Sequence, residues 1–324
     1  MRKIIRFVKD WTLPVAIVTG ASAYGILAGA DALAFTRPFL WEAAKDTTPV
    51  LIFTMLFLTF CKIDPRDMRP RPWNWWLLLV QTLLCVVLLV MTKAFALTGE
   101  GLLAAEGFLA CLLAPTATAA AVISAKLESN AAATSVHSLI DSLWVAALIP
   151  IFCPLFEADS GVSFAALVMR ILANVSPLLI LPLVLSWVVR YALPRVHRFL
   201  IGLQDAAFYL WAVTLVIVSA QTMSFMVHAP GGMAQVVVMF SIAFVCCFGQ
   251  FYIGRRIGLR YGDKIAAGQS LGQKNTVFAI WFTYSFLSPA AAIAPGAHVV
   301  WQNIFNAWQM WRHRKAAAIK QSPH

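Results

Sequence analysis

Charged side chains are scarce in this sequence, at 12% of residues, against about a quarter in soluble domains. Acidic ones are scarcer still, 14 Asp and Glu against 25 Lys and Arg. So few charges in a chain that is 60% hydrophobic cannot clothe a water-facing surface, which argues against a soluble enzyme or binding module. Catalytic signatures are missing as well: there is no G-x-S-x-G, no H-E-x-x-H and no P-loop, so hydrolase, zinc-protease and ATP-driven chemistry have no footing here. The six cysteines, Cys61, Cys85, Cys111, Cys153, Cys246 and Cys247, fall in or at the ends of apolar stretches without a C-x-x-C pair. They read as small buried hydrophobes, not as disulfides or metal ligands.

What is present is apolar length. A membrane-crossing helix needs about 20 apolar residues for roughly 30 Å of hydrocarbon. With charged and Pro/Gly clusters as punctuation, the spacing predicts ten spans. They run from Trp11 to Leu33, Thr47 to Cys61, Trp73 to Thr92, Ala104 to Ala125 and Ala131 to Phe156. The second set runs from Val162 to Tyr191, Asp205 to Met226, Met233 to Ile253, Ala267 to Phe286 and Ala290 to Trp311. The basic start and apolar run of the N-terminus imitate a signal peptide. The run is longer than the usual h-region and many similar segments follow, so it reads as an uncleaved first span.

Alternating the loops from a cytoplasmic N-terminus sorts the basic residues. One side receives Arg2, Lys3, Arg6 and Lys9, then Lys62, Arg66, Arg69 and Arg71, then Lys126. It also receives Arg190, Arg195, Arg198, Arg255, Arg256, Arg260, Lys264, Arg312, Arg314, Lys315 and Lys320, while the other side holds Arg37, Lys45 and Lys93. Cytoplasmic loops carry such an excess, which places both termini inside a plasma membrane of the bacterial inner-membrane kind. The same asymmetry accounts for the net charge of +11 through the lipid bilayer as partner, with no nucleic acid. Arg170 and Lys274 remain within spans; Arg170 is near an end and is expected to snorkel to the interface, whereas Lys274 is deeper. Asp205 reads as a helix N-cap, and Glu106 as a residue facing water.

Two spans are interrupted. The fourth contains "LLAPTATAAAVISAKL" with Pro115 in its middle, and the ninth contains "AAGQSLGQKNTVF" with Gly268 and Gly272 among amides. Proline removes a donor and obstructs a preceding carbonyl. Backbone groups freed in a membrane are tolerated only inside protein or beside a wet cavity. Both breaks occupy the fourth place in successive sets of five, 1–156 and 157–324. An odd number of spans per set inverts the second, and matched breaks in inverted repeats point to a transporter's midplane site. Singly, each break is equally an ordinary kink.

In these motifs the chain resembles the bile acid:sodium symporter family. Pro115-Thr116-Ala117-Thr118-Ala119-Ala120-Ala121 stands where that family has roughly P-G-G-T-A-S-N, and Ser270-Leu271-Gly272-Gln273-Lys274-Asn275 where it has E-x-G-x-Q-N. Gln81 matches a third-helix glutamine of the family. The resemblance implies an all-α polytopic membrane protein: ten transmembrane helices in two inverted five-helix repeats, with helices four and nine broken and crossing near the membrane centre. The family binds one sodium through the Ser and Asn of helix four, the Glu of helix nine and hydroxyls of helix five. Here those positions are Ala120, Ala121 and Ser270, leaving Thr134 and Ser138. The second family sodium site uses the Glu and Gln of helix nine, and the Gln position is Lys274. Both sodium sites look dismantled, so proton coupling or facilitated movement stands level with sodium coupling, and no other cofactor is implied.

Lys274 is then a candidate built-in cation in the place of a transported one. Uncompensated at a helix centre it would cost on the order of 2.5–3.5 kcal/mol. Asp141 is the expected partner: it shares a helical face with Thr134 and Ser138, so a contact between Asp141 and Lys274 is expected, either as a structural tie or as a coupling device. His137, one turn before Asp141, reads as a satisfied polar histidine supporting Asp141; no other His or acidic group shares its span to make a metal site. Thr118, Gln269, Gln273 and Asn275 are expected to cap freed backbone groups and to contact substrate. The reading is a secondary transporter of a small organic solute, an organic anion by the resemblance and by the positive charge of lysine and helix N-termini, working by alternating access. The alternatives are a transporter-like sensor that binds solute without moving it and needs a signalling partner, and, third, an embedded enzyme using His137 and Asp141.

Overall fold

The computed structural model describes residues 12–63, 69–156, 163–203 and 206–321. Arg2, Lys3, Arg6, Lys9, Arg66 and Asp205 lie outside the described residues, as does the side chain of Lys320. Among the described residues the fold is helical: α1 Thr12–Gly29, α2 Arg37–Phe60, α3 Pro72–Ala94, α4 Gly99–Leu113, α5 Ala119–Lys126, α6 Ala131–Phe156, α7 Phe164–Ala192, α8 Pro194–Gly202, α9 Ala206–Val227, α10 Gly232–Leu259, α11 Lys264–Gly272, α12 Thr276–Phe286 and α13 Ile293–Gln321. Short 3-10 turns at Asp31–Thr36 and Pro289–Ala292 complete it.

Six of these helical stretches are long and apolar enough to cross a membrane: Ala34–Phe60, Pro72–Ala94, Ala131–Phe156, Phe164–Ala192, Tyr209–Val227 and Gly232–Leu259. Their faces are distributed as lipid requires. On α3, Trp75, Trp76, Leu79, Leu83, Val87 and Val90 are exposed while Asn74 and Gln81 are fully buried. Water would favour the reverse; a continuous apolar exterior over a partly polar interior fits hydrocarbon. The chain is an integral membrane protein of the α-helical class.

The helices coincide in position with the predicted spans, but six of the ten stretches are long and apolar enough to cross a membrane, α13 continues to Gln321 past the expected Trp311, and two further differences are informative. Helix α2 begins at Arg37, well before the expected Thr47. The charges of Glu42, Lys45 and Asp46 interrupt the apolar run, but they stay exposed on the helix surface and cost it little. Arg37 explains the early start: its guanidinium donates to the carbonyls of Leu27 (2.6 Å) and Ala28 (2.9 Å), capping the end of α1 so that the chain restarts as helix at once. The amphipathic helix α8 was not anticipated. Its His197 Nε2 meets the Cys61 carbonyl oxygen at 2.9 Å, and Arg190 donates to Cys61 and Ile63, so the end of α2 is capped by side chains from elsewhere.

Close backbone approach fixes the second half. Gly254 and Gly258 form a G-x-x-x-G face, the small-residue pattern that lets membrane helices touch. A Cβ at Gly254 would lie 2.6 Å from the Ala267 carbonyl oxygen, and one at Gly258 would lie 2.5 Å from the Ala267 Cβ. That contact seats α11 on α10. Asp263 anchors the start of α11, accepting from Trp73 Nε1 (2.9 Å) and pairing with Arg71 (3.3 Å) at the head of α3.

Candidate functional site

Helix α4 stops at Leu113 because Pro115 disfavours helical backbone in the residue before it, and Ala114 is extended, with φ −60° and ψ 128°. Helix α11 stops at Gly272 and Gln273 turns extended, with φ −97° and ψ 101°. A Cβ at Gly272 would strike the Phe251 ring at 2.3 Å, so only glycine fits where α11 meets α10. Asn275 then restarts the chain as the N-cap of α12, its side-chain oxygen accepting from Phe278 N at 3.3 Å.

The two breaks satisfy one another. Ala117 N donates to Gln273 O at 2.8 Å and Asn275 N to Pro115 O at 2.7 Å, which makes Thr116 and Lys274 an antiparallel bridge. They form the non-hydrogen-bonded kind of pair, in which Cα atoms approach to about 4.5 Å and both side chains leave on one face. Their own amides go to side chains: Thr116 N to Asp141 Oδ2 at 2.7 Å and Lys274 N to Gln302 Oε1 at 2.9 Å. The loosened carbonyls are met likewise, Thr116 O by Ser138 Oγ (3.1 Å), Ser270 O by Thr116 Oγ1 (2.6 Å), and Leu112 O by Gln81 Nε2 (2.9 Å). An unpaired backbone group in this setting would cost several kcal/mol, so these side chains are what make the double interruption affordable.

The expected ion pair is not formed. Asp141 and Lys274 are both buried, at 0% and 1% exposure. Yet Lys274 Nζ and Asp141 Oδ1 each lack a hydrogen-bond partner among the described residues. The other oxygen, Asp141 Oδ2, accepts from the Thr116 amide at 2.7 Å, and the Thr116 hydroxyl, also 2.7 Å away, shares its single proton between this oxygen and Ser270 O. Thr116 therefore stands between the two charges, bridge partner of one and donor to the other.

His137 also departs from expectation. It is fully buried against the Trp73 ring (5.7 Å between centroids), and among the described residues neither ring nitrogen has a hydrogen-bond partner, so it does not bond to Asp141. Glu106 is buried, not water-facing, and its carboxylate accepts from Ser288 N at 3.0 Å. Arg170 is exposed, as a snorkelling residue would be. Thr134 bonds to Ser124 (3.0 Å) and donates to Asn130 O, so with Ser138 occupied at Thr116 O the two hydroxyls serve the backbone. Ala120 and Ala121 bring no oxygen. The donor set for sodium implied by the resemblance is not assembled by these side chains.

Beside the crossover lies a cavity of about 600 Å³. Thr118, Ser138, Gln273, Lys274 and Asn275 line it, together with Ser135, Gln302, Asn303 and Asn306, and Lys62 and Lys126 also contribute to its wall. Gln81, Pro115, Thr134, Asp141, Gln269 and Ser270 stand behind this wall as support. Gln269 Nε2 donates to Asn306 Oδ1 at 2.9 Å, and the Ser270 hydroxyl has no partner.

Sequence reasoning missed Thr116, hidden because Thr118 offers the same hydroxyl two residues on. It also missed the polar stripe of α13. His298, Gln302, Asn306 and Gln309 recur at helical spacing, all buried, and three of them serve the second break: His298 Nε2 at Gly272 O (3.4 Å), Gln302 at Lys274 N, and Asn306 at Gln269. That period was available as a signal. In comparisons with known proteins, no protein-family model and no curated protein matches the chain.

Proposed function

We propose that this chain is a secondary transporter of a small organic anion, working by alternating access on a scaffold like that of the bile acid:sodium symporter family. In this reading ten helices cross the membrane in two inverted five-helix repeats, 1–156 and 157–324, with α4/α5 and α11/α12 as the broken members of each. Both termini are cytoplasmic, and Lys62 and Lys126 mark the cavity's cytoplasmic end.

The observation that carries the reading is the paired interruption, with Pro115–Ala117 and Gln273–Asn275 bonded across the crossing of two half-helix pairs. An interrupted pair walling a polar cavity beside a buried, unpartnered lysine is the arrangement that discontinuous transporter helices use to meet a charged solute. An intramembrane ionisable group is functional by default. Lys274 then does permanently what a bound sodium does transiently: it supplies positive charge at the crossover. Asp141 balances it through Thr116. Coupling to sodium is dispensable, and the driving force is a proton gradient or the solute's own.

Purified protein in sealed liposomes tests this with a panel of labelled mono- and dicarboxylates. Saturable uptake of one of them supports transport. Saturable binding without flux would instead make the chain a sensor, and conversion of the solute would make it an enzyme.

A further inference from the structure

Three side chains that no sequence motif connects converge just behind the second break. Cys111 of α4, Cys246 of α10 and His298 of α13 bring their ligand atoms within 4.8 Å of one another, and all three are buried. We propose that they form a binding site for a soft monovalent cation, copper(I), held by two thiolates and one imidazole.

The histidine is set for that role. Its Nε2 faces the Gly272 carbonyl at 3.4 Å; a carbonyl only accepts, so the proton sits on Nε2 and the lone pair on Nδ1. That Nδ1 is buried without a hydrogen-bond partner among the described residues, a state that costs free energy unless something else fills it. Metal-ligating histidines characteristically donate their other ring N–H to a backbone carbonyl or carboxylate, which is the arrangement here. One sulfur has a neighbour placed to support it. Gln250 Nε2 donates to Cys246 Sγ at 2.8 Å and lies 3.3 Å from the Cys111 carbonyl oxygen, so the same amide holds α10 and α4 at one spacing.

Softness and ligand number select the ion. Thiolates favour copper(I), whereas structural zinc takes four ligands, and among the described residues this group has three. Binding releases the two thiol protons. The bound ion would tie α4, α10 and α13 together at the carbonyl of Gly272, where α11 ends.

The test uses full-length protein in detergent, anaerobic and reduced, titrated with copper(I) against a chromogenic chelator. Expected is one tightly held copper(I) per chain, lost in Cys111→Ser and Cys246→Ser, weakened at least about tenfold in Gln250→Leu through loss of outer-shell support, and retained in Cys85→Ser and Cys247→Ser. X-ray absorption on the loaded wild type, which needs no variant to fold, should give a three-coordinate site with two sulfurs. No stoichiometric copper, equal loss in the Cys85 and Cys247 variants, preference for zinc, or a Cys111–Cys246 disulfide in the reduced protein would each overturn the proposal. None of these readings involves solute flux, so the copper site and the transport reading stand or fall separately.

Discussion

Thr116 and Lys274 face each other across the crossing of two interrupted helices, and each spends its own amide on a side chain, Asp141 for one and Gln302 for the other. Two neutral backbone segments are thereby locked together while a carboxylate and an ammonium group are kept close without touching. The junction is polar and buried, and the backbone groups named above are paired, but Lys274 Nζ, Asp141 Oδ1, Ser270 Oγ and the side-chain oxygens of Gln81, Gln269 and Gln273 have no hydrogen-bond partner among the described residues. Those exceptions are where chemistry is available.

Thr116 should matter through its hydroxyl. Thr116→Val keeps the shape and the backbone amide but removes a donor to the buried Asp141 carboxylate, an interaction worth about 1.5–3 kcal/mol. Thermal unfolding in detergent should show a clear drop for Thr116→Val and little change for Thr116→Ser. Equal losses in both would point to packing instead of the hydroxyl.

Asp141 and Lys274 should be coupled although they do not touch. Asp141→Asn alone leaves the lysine uncompensated and is expected to destabilise, whereas adding Lys274→Met should recover stability. A double-mutant cycle should give a coupling of about 0.5–3 kcal/mol, the range for residues in one network. Strict additivity would mean that Thr116 screens the pair completely.

His137 is a polar group that stability does not explain. With both ring nitrogens buried and unpartnered, His137→Phe should hold or raise the unfolding temperature, since an unsatisfied buried group costs about 1–3 kcal/mol. A fall of that size would show that the imidazole is held by something it bonds to in the membrane.

Gly258 and Gly249 offer a packing contrast on one helix. A methyl at Gly258 would meet the Ala267 Cβ at 2.5 Å and the Asp263 carbonyl oxygen at 2.6 Å, while one at Gly249 meets nothing within 4 Å. Gly258→Ala should cost about 1–3 kcal/mol by overpacking, and Gly249→Ala should be neutral or gain up to about 1 kcal/mol from helix propensity. Unfolding midpoints of the two variants, side by side, check both.

Much of this was legible in the sequence because the strongest signals are local. Apolar length placed the helices, and Pro115 and Gly272 placed the breaks. Helix α2 ran past its predicted start because exposed charges at Glu42, Lys45 and Asp46 interrupt a hydropathy pattern without interrupting a helix. The partners of the breaks were harder to read, since pairing is a tertiary fact: Thr116 and Thr118 look alike until one of them meets Asp141. The expected match of Asp141 with Lys274 rests on charge and on the helical face Asp141 shares with Thr134 and Ser138, and a backbone amide proved the nearer donor. The stripe from His298 to Gln309 shows the opposite case, a periodic signal left unread inside a segment assigned as an ordinary apolar span.

The central claim is that Lys274 is a resident cation that makes sodium unnecessary. It is tested most directly by carboxylate-induced thermal stabilisation, measured in sodium-free and sodium-containing buffer for the wild type and Lys274→Ala. The account predicts a carboxylate that stabilises the wild type equally in both buffers and does nothing for the variant. Stabilisation that requires sodium and survives in Lys274→Ala would contradict it.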